Sequence, residues 1–452
     1  MTATVATLSN TSVPYAQAFA AARSGLPGGR HGALSSLRER AFERFARHGF
    51  PTTRVEAWKF TNLNPLARTD FRLADGAGPV PAMLVARARL NRAGTLGVGA
   101  YVAVFVNGRL DKSLSDLGRL PAGARIDSLA SLLETAPDEL ASSLGDSSDD
   151  RARALVELNT AFMADGAVLR LGSGVALDRP LHLIFVGTAG DVPAAIHVRN
   201  LILAEAGASA TVIESYVGAD EGTYWTNAVT RIVAGPDAAI RHYKLQAEGA
   251  AAFHTAETEA ALSRGAAYTS FVMSSGGLLA RNEIDVRFEG EGVSCRLDGV
   301  TLARGRQHID NTTRIDHAKP RGSSAQVYKN IVDGHGHTVF QGRIRVAPDA
   351  QKTDAQQLNR ALLLSDHAAA DAKPELEILA DDVKCSHGAT VGDLDKDSLF
   401  YLRARGLDQD AARALLIAAF ADETIDMIGT EAERAYFHGA LSRWLKAAQG
   451  VG

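Results

Sequence analysis

Cysteine is scarce: the 452-residue chain has two, Cys295 and Cys385. Two widely separated thiols in so long a chain point to a reducing compartment rather than a disulfide framework, and a cytoplasmic setting is expected. They also set a limit, because this chain alone cannot supply four thiolates to a metal cluster. Long apolar runs are missing too, and nothing approaches the roughly 18 residues that a membrane-spanning helix needs. The N-terminus shows no basic segment leading into an apolar core, so secretion is not expected. It has no acid before Glu39 and carries Arg23, Arg30 and Arg38, a faint likeness to a transit peptide. An alanine-rich disordered start is the plainer reading. Net charge is only −4, which gives no support for nucleic-acid or polyanion binding. There is no G-x-x-x-x-G-K-[ST], G-x-G-x-x-G, H-E-x-x-H, G-x-S-x-G or C-x-x-C. Intrinsic ATP hydrolysis is therefore not expected, and nothing marks the chain as an enzyme.

What is present is a repeat. From about residue 200 to 350 a polar residue enters a strand-like run at Asn200, Asn227, His254, Asn282, Asn311 and Gln341, with gaps of 27, 27, 28, 29 and 30 residues. A turn followed by small residues keeps step: Gly207-Ala208, Pro236-Asp237, Gly265-Ala266, Gly292-Val293, Gly322-Ser323 and Pro348-Asp349. Repeats of this size signal solenoids, in which each unit buries its apolar face only against its neighbours. Runs such as Leu201-Ile202-Leu203 and Ile284-Asp285-Val286-Arg287-Phe288 are β-branched and too short for helices. Two strands of about five to seven residues plus two turns fill such a coil. The spacing predicts a mainly β fold, a right-handed parallel β-helix, with the Asn/His column stacked as a ladder at one corner.

Helices are expected on both sides. Residues 32–48 carry Leu34, Leu37, Ala41, Phe42 and Phe45 at helical spacing, stopped by Gly49-Phe50-Pro51. Residues 101–109 read as a strand running into an Asn-Gly turn, 135–150 as a mobile polar connection, and 151–163 as a helix. After the solenoid, Asp395 or Asp397 caps a helix ending at Gly406, and helices follow at 408–428 and 430–448. The expected divisions are 1–100, an N-terminal helical region; 101–164, a mixed connection; 165–392, the β-helix; and 393–452, a C-terminal helical domain. Helices at both ends are expected to cap the open terminal rungs.

Lys384-Cys385-Ser386-His387-Gly388 is the one local cluster with chemistry in it. On a strand, Cys385 and His387 share a face, and a thiolate beside an imidazole suits iron, zinc or an iron–sulfur cluster. Lys384 is expected to lower the thiol pKa. A small buried cysteine beside a structural histidine is the plainer alternative. The Gly334-His335-Gly336-His337 turn is a second metal candidate, since its two imidazoles share a face if extended; a tight corner explains its glycines as well. Cys295, between Ser294 and Arg296 on an expected strand, reads as a buried apolar residue.

The stretch Tyr328 to Arg405, with VFQGRIRVAPDAQKTDAQQLNRALLLS and KPELEILADDVKCSHGATVGDLDKDSLFYLRARG, closely resembles the SufB/SufD family of SUF iron–sulfur cluster assembly scaffolds. The two-cysteine count and the KCSHGAT segment favour the SufD branch. Arg54 to Thr61 (RVEAWKFT) and Tyr101 to Gly108 support it. The resemblance implies a β-helix flanked by helical regions, in a complex with the paralogue SufB and the ATPase SufC. It places Cys385 and His387 near the SufB contact, with a transient, shared iron–sulfur cluster as cargo. It assigns docking of SufC to the C-terminal helices, which carry Leu399, Phe400, Tyr401, Arg403 and Arg405. It implies a non-catalytic scaffold, with a homodimer open to the isolated chain. The rival from the same resemblance is a purely structural subunit that ligates nothing. A β-helix carbohydrate-active enzyme is disfavoured, because the acids form no column across rungs and no secretion signal is seen.

Overall fold

In the computed structural model, which describes residues 13–74, 76, 99–144, 150–188, 190–219 and 221–448, the repeat is a parallel β-solenoid. Successive strands alternate between two ten-stranded sheets, so one coil is two strands. The first sheet holds Ala194–Ala204, Tyr224–Ala234, Phe253–Leu262, Leu279–Phe288, His308–His317, His337–Val346 and Ala369–Ile378 in order. The second runs from Leu181–Gly187 through Ser209–Gly218 to Asp354–Leu363 and Lys384–Gly392. Most strands are 8 to 11 residues long, longer than the expected five to seven. The alternation that would have revealed their length is masked because both faces are covered. Within Tyr224–Ala234 all but two residues are buried, as befits a parallel sheet with a packed core on one side and helices on the other.

The turn marker is a physical column. Gly174, Gly207, Asp237, Gly265, Gly292, Arg321 and Lys352 all have φ between 57° and 70°. Each donates its N–H to a carbonyl in the next turn, Gly207 to Pro236 at 2.8 Å and Gly265 to Glu291 at 2.9 Å, for example. Small residues follow these bends, and Ala208, Ala238 and Ala266 are fully buried. Three of the seven are not glycine, although a Cβ in this conformation costs about 1–2 kcal/mol. The stacked hydrogen bond holds them there.

The Asn/His ladder is not formed. Asn200 lies opposite Thr230, Asn227 opposite His197 and Thr255, His254 opposite Thr226 and Ala280, and Gln341 opposite Thr312. Only Asn282 and Asn311 face each other. These residues sit within strands, not at a corner. Turn lengths vary from coil to coil, so a roughly constant sequence spacing drifts across the register. Each satisfies a local need instead: Asn227 donates to the Leu155 carbonyl at 2.9 Å.

Helices form at Val13–Ala22, Gly32–His48, Ala154–Phe162, Lys396–Ala404, Gln409–Ile425 and Glu431–Ala448. Gly49 (φ 64°) ends the second of these. Asp395 and Asp408 cap the N-termini of Lys396–Ala404 and Gln409–Ile425 through the N–H groups of Ser398 and Ala411. Part of the expected mobile connection is helical instead, at Pro137–Leu144. Proline starts it, Asp138 and Glu139 occupy its first turn, and Leu140 and Leu144 pack on Leu34, Leu37 and Leu133. Residues 145–149 of that stretch lie outside the described residues.

The helices do not cap the solenoid ends; they cover its flanks. Gln409–Ile425 and Glu431–Ala448 lay Ile417, Ala421, Ile425, Phe437, Leu441 and Trp444 on the outer face of the second sheet, against Tyr243, Phe271, Val300 and Ile331. On the first sheet, Phe45, Phe50, Leu155 and Phe162 cover Trp225, Phe253 and Leu279. The Arg54–Thr61 segment clasps the same face: Arg281 stacks on Trp58 at 3.9 Å and donates to the Ala57 carbonyl at 2.7 Å. At the start of the solenoid each sheet ends in an antiparallel strand. Ala124–Ser128 pairs with Ala167–Leu171. Tyr101–Val106 pairs with Leu181–Gly187 and turns through Asn107 (φ 48°) and Gly108 (φ 75°) into Arg109–Asp116.

Two buried histidines tie this packing to pH. His182 bonds Ser215 at 2.8 Å beneath Tyr436, and His197 sits between the Phe162 and Trp225 rings. Burial pushes both down to about 3. The unfolded chain takes up protons below pH 6.5 while the folded chain does not. Stability is therefore present above that pH and lost on acidification, by about 1.4 kcal/mol per pH unit per histidine. Thermal melts should show the melting temperature falling from pH 6.5 to pH 4, with a shallower fall in His182→Asn; a flat profile contradicts this.

Candidate functional site

The far end of the solenoid is finished differently from its start. The last coil, Ala369–Ile378 and Lys384–Gly392, pairs on one side only in each sheet, and no described helix or hairpin covers it. Ile378, Leu379 and Val391 are 40–52% exposed there. Two open parallel edges remain, each with unpaired N–H and C=O groups.

The two edges are not equivalent. Ala369 and Leu379 donate inward, to Gly336 and Val346, so along this unbroken register the odd residues face the sheet and the even residues face out. Pro374 therefore faces outward and removes a donor from the free edge. In the second sheet Lys384 donates inward to Thr353, which leaves the backbone groups of Cys385, His387, Ala389 and Val391 pointing out. No proline interrupts that edge.

Cys385 and His387 thus stand on one face of an open edge strand, as the i, i+2 spacing predicts. Their register partners are Ala355 and Gln357, both buried. The column of Cys385 continues through Ala355 and Ser324 to buried Cys295. Cys385 is half-buried and packs on Ile344, Val346, Ala350, Ala355 and Ala380; His387 is exposed. Lys384 does not lower the thiol pKa. Partial desolvation and the nearby Asp354 carboxylate raise it above the ordinary value, and Lys384 is exposed to solvent. Sequence reading missed Gln357. It is 3% exposed and neither amide atom has a hydrogen-bond partner among the described residues. Its side chain lies against Gly342, where a Cβ would collide with the amide. Gln357 is thus a buried amide with idle hydrogen-bonding atoms, in register with His387. A glutamine in an alternating strand gives no such signal in sequence.

The Gly334-His335-Gly336-His337 imidazoles part company. Gly334 (φ 66°) bends the chain, His335 stacks on His367, and His337 bonds Asp371 at 2.7 Å and His308 at 3.2 Å. Among the described residues, no three His, Cys, Asp or Glu side chains gather as a metal site. Cys385 and His387 offer one thiol and one imidazole on the same edge strand, fewer donors than a metal site needs. The Lys396–Ala404 helix buries no residue. Phe400 is 74% exposed, Leu399 is half-buried, Arg403 is exposed, and Arg405 donates to the Tyr401 hydroxyl at 2.7 Å over its ring.

Residues 185–420 match the model of the SufBD core domain of the SUF system for iron–sulfur cluster assembly, and residues 9–183 match the SufBD N-terminal region. The chain belongs to the SufBD family. It is 32% identical over 86% of its length to the iron-sulfur cluster assembly protein SufD of Escherichia coli, covering 88% of that protein. It is 34% identical to a SufBD family iron-sulfur cluster assembly protein of Synechocystis, over 87% of each chain. The chloroplastic protein ABCI7 of Arabidopsis thaliana is 34% identical over 72% of this chain and 69% of its own. No helix is long and apolar enough to cross a membrane among the described residues.

The two thiols should differ in reactivity. Cys295 is 5% exposed, and burial with Asp298 raises its pKa strongly. With a neutral disulfide reagent at pH 8, the native chain should release one equivalent slowly, from Cys385, and the second only on unfolding. Fast release of two equivalents excludes this arrangement.

Proposed function

We propose that the chain is a non-catalytic, cytoplasmic scaffold subunit for iron–sulfur cluster assembly. It pairs its Lys384–Gly392 edge with a SufB-type paralogue and presents Cys385 and His387 to a cluster held transiently across that boundary. The observation that supports this is the far end of the ladder: both sheets finish on exposed parallel strands, and both candidate ligands stand on the one whose free edge no proline interrupts. Strand addition at a free edge gives main-chain affinity, and side chains at alternate positions give specificity. The donor set fits shared ownership, because one thiol and one imidazole leave a cluster incomplete until another chain adds ligands. The cluster is cargo here. A second copy of the chain offers the same edge, which accounts for a homodimer when the paralogue is absent.

The ATPase partner docks on the C-terminal helices in this reading. Leu399, Phe400, Tyr401, Arg403 and Arg405 lie on a helix that contributes nothing to the core, next to Leu415, itself 50% exposed. An apolar, arginine-bearing face suits a protein contact. The chain carries no phosphate-binding loop, so the partner supplies the nucleotide chemistry. A purely structural role for the same surfaces is the alternative.

Two co-purification experiments test these assignments. Ala389→Pro removes an outward N–H and should abolish recovery of the SufB-type partner while changing the melting temperature little; unchanged recovery rejects edge pairing. His387→Ala should retain that partner but lower the iron and sulfide content of the complex several-fold. Cluster lost only in proportion to lost fold favours the structural reading. Separately, Phe400→Glu should release the ATPase at nearly wild-type stability, because the side chain is already in solvent. Full retention of the ATPase rejects docking at this face.

A further inference from the structure

The outer face of the first sheet holds a second concave site, far along the solenoid from Cys385. It is an open cavity of about 420 Å³ between the sheet and the helical segments at 137–144 and 151–162. Four guanidinium groups line it: Arg153, Arg199, Arg231 and Arg287. Arg199 is only 4% exposed. Its Nη2 donates to the Leu144 carbonyl at 3.0 Å and the Thr160 hydroxyl at 3.2 Å, but its Nε and Nη1 have no partner among the described residues. A buried cation with two idle donors is costly and calls for an explanation.

The neighbouring acids do not supply one. Glu259 is taken by Arg153, which also pairs with Glu257 at 2.8 Å. Asp285 pairs with Arg314 at 3.3 Å and Asp316 with Arg345 at 3.1 Å. Among the described residues, Arg231 and Arg287 have no side-chain hydrogen bond or ion pair, and Glu289 is the one lining acid left without a cation. The lining holds four guanidinium groups and four carboxylates, but the carboxylates other than Glu289 are paired, so Arg199, Arg231 and Arg287 face the cavity without an ion-pair partner among the described residues. Burial and the like charges of Arg231 and Arg153 push Arg199 down to about 10, so it stays charged at neutral pH while repelled by its neighbours.

We propose that this cavity binds a phosphoryl group, with Arg199 at its floor and Arg231 and Arg287 at its rim. Planar guanidinium donors match phosphate oxygens, and a phosphoryl group has enough acceptor oxygens to engage the idle Nε and Nη1 of Arg199 together with the two rim arginines. The volume exceeds what inorganic phosphate needs and admits a small phosphate ester, whose apolar part would rest on Leu144, Val156 and Ala261. Nothing in this assignment depends on the cluster-assembly role.

Titration of the purified full-length chain with inorganic phosphate, and separately with adenosine 5′-monophosphate, tests it by calorimetry and thermal melts. Saturable one-to-one binding with a rise in melting temperature is expected. Arg231→Gln, a half-buried position without an ion pair, should fold normally and weaken binding about ten-fold, the loss of one charge-assisted contact. Arg199→Gln should abolish the phosphate-induced stabilisation. Tighter binding of the nucleotide identifies an organic phosphate as the occupant, and equal binding identifies phosphate itself. Absence of saturable binding by either probe overturns the proposal, as does wild-type affinity in Arg231→Gln. Should Arg199→Gln fail to fold, Arg231→Gln and Arg287→Gln still decide the matter.

Discussion

A parallel two-sheet solenoid has two ends, and the backbone donors and acceptors at each must be paired, covered or left for another chain. Everything distinctive in this molecule follows from how unevenly that constraint is met. At the start, Ala124–Ser128 and the Asn107-Gly108 hairpin end both sheets in antiparallel strands. At the finish the ladder stops at parallel strands, Ala369–Ile378 and Lys384–Gly392, with no further strand among the described residues. The C-terminal helices were free to fold over that end. They cover a flank instead, because nine large apolar side chains of the second sheet, Ile213 to Leu362, point outward and need cover. Burial of that face at about 25 cal/mol per Å² outweighs what a few edge hydrogen bonds would return.

Along the solenoid, the same economy makes turns more telling than strands. A stacked left-handed bend recurs from Gly174 to Lys352, each N–H bonded to the next coil. The Gly/Pro marker found that column at Gly207, Asp237, Gly265 and Gly292, where glycine and aspartate are chemically special at bends, but fell beside it at Gly322 and Pro348, because Arg321 and Lys352 carry the bend there. The Asn/His column was not legible as a stack. Strand residues two apart share a face, but which residue of one coil meets which of the next depends on turn lengths, and a drift of one residue moves a side chain to the other face. Hence His254 meets Thr226 and Ala280, not Asn227 and Asn282.

The site divides the same way. The i, i+2 placement of Cys385 and His387 is local geometry and could be read directly. Their position on an open edge is global, and depends on where helices some thirty residues later choose to pack. Gln357 and the guanidinium cavity were out of reach for the same reason. Arg153, Arg199, Arg231 and Arg287 come from four separate segments, and only the coil brings them together. The Arg54–Thr61 segment was recognisable only by resemblance. Its work is mechanical: Trp58 and the Ala57 carbonyl anchor on Arg281, and Gln341 reaches the same carbonyl at 3.2 Å, binding the N-terminal region across several rungs.

Under the proposed function, the state of Cys385 in the lone subunit acquires a use. Desolvation and Asp354 hold its proton on, so the thiol is neither a good nucleophile nor an avid ligand while the edge is open. A metal ion competes for that proton, and the competition is won more readily when further ligands arrive together from a paired edge. Under that reading the open end is where ligands from two chains would meet, and the proton on Cys385 is what a metal must displace there.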